Sequence, residues 1–202
     1  MMGRQSSSPP GFEKTHIEPG QMSDITLHLL PTSDILPHLV HEHQLGFENR
    51  VFQAAYAMRQ WLFEGRGSIP IAAKEAFEKR ADDLARYILF ADEAKLPAEG
   101  IGGDPDFITE FQRNKKAVVA GASLKDFDLR TRMFKYRCSY MLYTESWQQL
   151  PSLLKERVYY KMAEGLRDAN PSPAYACLQT SERRAIRAIL KETLPGLPAW
   201  WR

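Results

Sequence analysis

Cysteine is scarce, with only Cys138 and Cys177 in 202 residues. Two thiols cannot define a disulfide framework, and with no CxxC or CxxCH the chain lacks the usual zinc and covalent-haem signatures. Long apolar runs are missing as well, so no segment reads as a membrane-spanning helix. Neither sign of charge dominates: 27 Lys and Arg face 25 Asp and Glu, a formal net charge of +2. No broad basic field therefore exists to attract nucleic acid or anionic lipid. The first residues, MMGRQSSSPPGF, carry a basic residue but no apolar stretch behind it, so they do not form a signal peptide as written. Taken literally, the chain is cytoplasmic, whereas a fragment start at Met1 would remove an export signal from view.

What is present suits one globular domain with a tail, since 44% of the residues are hydrophobic and 26% charged. Residues 1–21, rich in Ser, Pro and Gly and without periodicity, are expected to be a disordered tail. Residues 22–202 are expected to form an all-α single domain, an irregular bundle of about six helices. Asp34, after Pro31-Thr32-Ser33, is placed to start a long helix. Its core stripe runs Leu36, Val40, His43, Phe47, Val51, Ala54, Met58 and Leu62, in alternating steps of four and three. Gly65 to Pro70 closes it. A second helix with Ala73, Phe77, Ala81, Leu84, Ile88 and Ala91 on one face should fold back as an antiparallel hairpin.

Asp104-Pro105 caps a short helix carrying Phe107, Ile108 and Phe111. Asn114 to Lys125 reads as a surface loop. The aromatic stretch around Cys138, from Asp126 to Pro151, looks like the segment the fold is built to house. Within it, Phe134 to Tyr143 is ambiguous between helix and strand, and a buried helix is expected. Pro151 opens a helix with Leu154, Val158, Met162 and Leu166, which stops at Asn170-Pro171. Thr180 or Ser181 opens the last helix, ended by Pro195-Gly196, and Trp200 and Trp201 are expected to dock on the bundle.

All five histidines fall in the first quarter of the chain. On a helix, His38, His41 and Glu42 share a face and form a candidate metal set. Against this stands a plainer alternative, with His38 and His41 solvated and His43 a core histidine holding an internal hydrogen bond. The hydroxyls of Tyr136, Ser139, Tyr140 and Tyr143 and the carboxylates of Asp126 and Asp128 are the candidate partners for His43. A carboxylate would raise its pKa, and burial against a hydroxyl would lower it. Glu42 and Asn49 flank His43, and with Cys138 these residues are the candidate cofactor contacts. Cys138 as a nucleophile with His43 as base is a further option, weighed against a simple buried thiol. The cations Arg130, Arg132, Lys135 and Arg137 are expected to pair internally with Asp126, Asp128 and Glu145 rather than hold an anion. Arg183, Arg184, Arg187 and Lys191 read as solvated charge on the last helix.

Several phrases together resemble a family of uncharacterised bacterial proteins, mostly longer and exported and loosely labelled cytochrome-like. They are Glu42-His43-Gln44 with Asn49, Leu89 to Ala94, Asp128 to Arg132, Cys138-Ser139-Tyr140, and Pro195 to Pro198 followed by Trp200 and Trp201. The likeness covers most of residues 30–201 and would make this chain the family's C-terminal domain. Two positions depart from that pattern: Glu48 stands where the family usually has a second histidine, and Arg137 where it has a proline. The resemblance implies a periplasmic setting but brings no activity.

The leading functional expectation is a non-catalytic structural or interaction module of an exported bacterial protein. Its partner would be another protein or the missing N-terminal part of a longer chain. The alternative is a metal- or haem-associated redox protein using the His38 to His43 helix, with any haem held non-covalently. A Cys138-dependent enzyme comes last. Neither a cofactor nor an oligomeric state follows from the sequence.

Overall fold

The side chain of Asp34 accepts the Leu36 N–H at 3.1 Å and starts the longest element, α1 (Ile35–Glu64). In the computed structural model, which describes residues 34–118, 120–169 and 172–201, five further α-helices follow. They are α2 (Lys74–Ile88), α3 (Pro105–Gln112), α4 (Glu145–Gln148), α5 (Ser152–Gly165) and α6 (Thr180–Thr193), and no strand forms among the described residues. The bundle is all-α, as expected. The expected tail, residues 1–21, lies outside the described residues, as does the turn at Asn170-Pro171.

The helical stripes land where their periodicity puts them. Leu36, Val40, His43, Phe47, Val51, Ala54 and Met58 are the buried face of α1, and Ala81, Leu84 and Ile88 that of α2. Gly65 caps α1 through its N–H to Trp61 O, and a turn containing Gly67 at φ +92° sends the chain back. Late α2 then lies beside early α1, because the Tyr87 hydroxyl donates to His43 O at 3.1 Å. α2 packs most extensively on α5, placing the central helix between α1 and α5. Of the C-terminal tryptophans, Trp201 is buried against Tyr159 and Trp200 stays exposed.

Two local expectations are corrected. Phe134 to Tyr143 is not a buried helix. Antiparallel bonds from Asp128 N to Met133 O (3.1 Å) and Lys135 N to Asp126 O (2.8 Å) fold residues 126–135 into a small hairpin. Only Tyr140–Tyr143 coils, as a 3-10 turn capped by Ser139. The aromatics favour this arrangement because Phe127 and Phe134, opposite each other on the hairpin, stack at 5.3 Å and continue onto Phe111. The segment Asn114 to Lys125 is likewise not simply a surface loop. An Ala117–Ser123 bridge turns it inward, burying Val118, Ser123 and Leu124.

Two of the four cations of the central segment, Arg132 and Arg137, pair internally, largely with another acid, while Arg130 and Lys135 are exposed and form no ion pair among the described residues. Arg132 meets Asp128 at 3.5 Å, as expected. Arg137 instead places its backbone N–H (2.9 Å), Nε (3.1 Å) and Nη2 (2.7 Å) on the buried carboxylate of Glu182 in α6, which also takes Arg132 at 3.3 Å. Glu145 serves Gln149. Arg183 corrects the expectation of a solvated face: it is buried, donating to Leu178 O, Asp168 O and Thr180 Oγ1.

Candidate functional site

Residues of α1, of α2 and of the chain leaving α2 come together around an opening. Together they enclose a cleft of about 940 Å³, within the size range of small-molecule sites. His43 lies on its floor, and Glu42 and Asn49 lie on its wall.

The floor is an aromatic stack. The His43 ring lies parallel to Tyr87 at 5.4 Å and close to parallel with Phe90 at 4.7 Å, with Phe134 and Tyr140 at its edges. Tyr87 fits because residue 46 is glycine, since a Cβ there would collide with the Tyr87 hydroxyl. Phe90 reaches the ring by an unusual route. It follows the last turn of α2 with φ +50°, a left-handed conformation that costs a residue with a side chain about 1 kcal/mol or more. The stacking on His43 offsets that cost. Arg50 covers the outer face of Tyr87 at 4.0 Å from the ring centre and caps Gly46 O.

His43 has the internal partner expected of it. Its Nε2 is 2.8 Å from Ser139 Oγ, one of the candidate hydroxyls. Ser139 Oγ also accepts the Met141 N–H, and the Ser139 N–H donates to Ile88 O, tying the central segment to the end of α2. The tautomer with the proton on Nδ1 lets Ser139 donate to Nε2 while its oxygen accepts from Met141. Burial, and secondarily the Arg50 charge, lower the His43 pKa from 6.5 to about 4. The ring is neutral near pH 7.

A pH dependence follows. Below about pH 6.5 the unfolded chain protonates this histidine, while the folded chain refuses the proton until about pH 4. The stability held above pH 6.5 is lost as the pH falls through that window, by about 3 kcal/mol from this group. Glu93 works in the opposite sense, because burial raises its pKa and the folded state takes its proton first. Urea unfolding of wild type and His43→Gln between pH 7 and pH 4 checks the sign. The wild-type slope should exceed that of the variant, and equal slopes would contradict a buried neutral ring.

The remaining candidates separate. His38, His41 and Glu42 are all exposed, and no group of three or more His, Cys, Asp or Glu able to hold a metal ion is present among the described residues. The expected metal set is not assembled. His43 offers no open Nε2 for haem iron, since Ser139 engages it. Cys138 is fully buried, its thiol pushed far above its ordinary pKa by burial, and it does not line the cleft. Glu48 accepts a 2.8 Å bond from Ser146.

Sequence reasoning missed Tyr87, Phe90 and Arg50. Gly46 inside a helix was a visible signal of close approach, and Phe90 sits within the phrase Leu89 to Ala94, most of which lines the cleft. No family model, curated protein or solved structure matches the chain.

The charges around the cleft are unequally committed. Asp92 is paired with Arg86 and Asp83 with Lys79. Glu93 receives the Met133 N–H at 3.2 Å. Arg80 and Lys95 carry no ion pair among the described residues, and Arg50 has no carboxylate partner there. Glu42 is the uncommitted acid. The free charge facing the cleft is therefore mainly positive.

Proposed function

We propose that this domain is a non-catalytic interaction module whose cleft binds a ligand with an apolar body and an anionic end. One observation carries it: a cleft of about 940 Å³ has an aromatic floor formed by Tyr87, His43 and Phe90, with unpaired Arg80 and Lys95 at its edge. The aromatic lining suits an apolar body, and the cations suit a carboxylate or similar group. The groups that could react are withdrawn. General base catalysis works best with a pKa near the working pH, whereas His43 is held near 4 and bonded to Ser139. A nucleophilic cysteine needs its thiolate, and burial keeps Cys138 protonated. The likeness to longer exported bacterial proteins supports a periplasmic setting, in which such a module would serve the remainder of a larger chain.

Titration with 2-naphthoate, and with its neutral amide as control, followed by amide NMR shifts, tests this binding. Saturable shifts are expected at Arg50, Tyr87 and Phe90, stronger for the acid than for the amide. Arg80→Ala should weaken the acid by about 3- to 10-fold, the size of one exposed charge-assisted contact. Saturation elsewhere on the surface, or acid and amide binding alike, would contradict it.

A further inference from the structure

α1 is apolar on two opposite faces. One is the core stripe through His43 and Phe47. The other carries Leu45, Phe52, Tyr56 and Phe63, exposed by 52, 62, 76 and 86% respectively. At 100° per residue these four side chains lie within a sector of about 40°, opposite the centre of the buried face. They form a straight ridge about 27 Å long from Leu45 to Phe63. Scattered surface hydrophobics need no explanation, but three aromatics and a leucine aligned along one exposed face of a helix do.

The spacing of the ridge points to its partner. Its steps are seven, four and seven residues, which read the same in both directions. Two copies of α1 laid antiparallel about a two-fold axis level with Ala54 would bring Leu45 onto Phe63 of the second copy and Phe52 onto Tyr56 of the second copy. Every ridge residue then meets another one, as an isologous contact requires.

The polar flanks agree. In an antiparallel helix pair each flank meets its own equivalent. On one flank Asn49 lies within a residue of the level of Gln60 in the second copy. No like charges are opposed. With aromatics burying about 150–250 Å² each when fully covered, the exposed parts of two ridges amount to on the order of 1,000 Å². That is the lower limit of a specific interface.

We infer that this ridge is a homodimer interface, formed by two antiparallel copies of α1. Asn49 and Gln53 border both the ridge and the cleft, so the second copy's α1 would run along the outer rim of each cleft. The inference does not depend on what the cleft binds.

Sedimentation equilibrium of the full chain at sub-millimolar concentration should give twice the chain mass. Phe52→Glu and Tyr56→Glu should each give a monomer with wild-type circular dichroism. The antiparallel arrangement is tested separately in a Cys177→Ser background, which removes the exposed native thiol. Leu45→Cys and Phe63→Cys should each stay uncrosslinked alone under mild oxidation, but form a disulfide-linked pair when mixed. A monomeric wild type, whether the ridge is bare or covered by residues 1–33, overturns the inference. So does a dimer that tolerates both glutamates, or crosslinking of Leu45→Cys with itself.

Discussion

Glu182→Ala is expected to destabilise the fold by about 3 to 5 kcal/mol, the range for removing one partner of a buried ion pair. The carboxylate is buried beneath the central segment and receives the backbone N–H and guanidinium of Arg137, together with Arg132. Arg137 is itself largely covered, so with alanine opposite it a cation and a backbone donor would be left short of partners. The damage should not stay local. Arg137 directly precedes Cys138 and Ser139, and Ser139 holds His43. Urea unfolding measures the loss, and Glu182→Gln, which keeps one acceptor, should fall between alanine and wild type. A loss below about 1 kcal/mol for alanine would mean that water already serves these groups.

Phe47→Ala should cost a similar amount, about 3 to 5 kcal/mol, by a different mechanism. The ring is fully buried on α1 one turn after His43, 6.2 Å from the Trp147 ring centre. Trp147 is fixed by its N–H to Tyr159 Oη at 3.0 Å and cannot easily move in to fill the space. The lost transfer free energy is thus joined by a cavity. Phe52→Ala, five residues further along the same helix, provides the contrast. Its ring is on the exposed ridge, so its effect on the stability of the isolated fold should lie within about 0.5 kcal/mol. Equal losses at the two positions would show that the helix phase is wrong.

How much of this was legible in the sequence depends on the range of the forces involved. The helical stripes were, because burial repeats every 3.6 residues. Phe47, Val51, Leu84, Ile88, Val158 and Ile189 all come out buried. Asp34 and Asp104 cap their helices because an N-cap is chosen by its immediate neighbours. The hydroxyl partner of His43 was also within reach, since a seam position demands a hydrogen bond and the central segment was rich in hydroxyls.

What lay beyond the sequence depends on long-range pairing. Nothing local distinguishes Glu182 from an exposed acid of α6; its burial follows from where α6 meets Arg137. Arg183 beside it is buried for the same reason. The helix expected over Phe134 to Tyr143 does not form because its residues fit either period over so short a run, and the stacking of Phe134 on Phe127 and of Phe127 on Phe111 favours a hairpin over residues 126–135. The cleft needed two helices placed side by side before Tyr87 and Phe90 could be seen to enclose His43. The exposed ridge was present in the sequence all along, hidden because a helix apolar on two opposite faces shows little amphipathic contrast.

The claim that the cleft binds rather than reacts turns most directly on His43, and nitrogen-detected NMR of its imidazole across pH 3 to 8 tests it. The account predicts a neutral ring with its proton on Nδ1 throughout the neutral range and a midpoint near pH 4. A midpoint at or above the ordinary value of 6.5 would contradict it, because it would describe an accessible, chargeable imidazole.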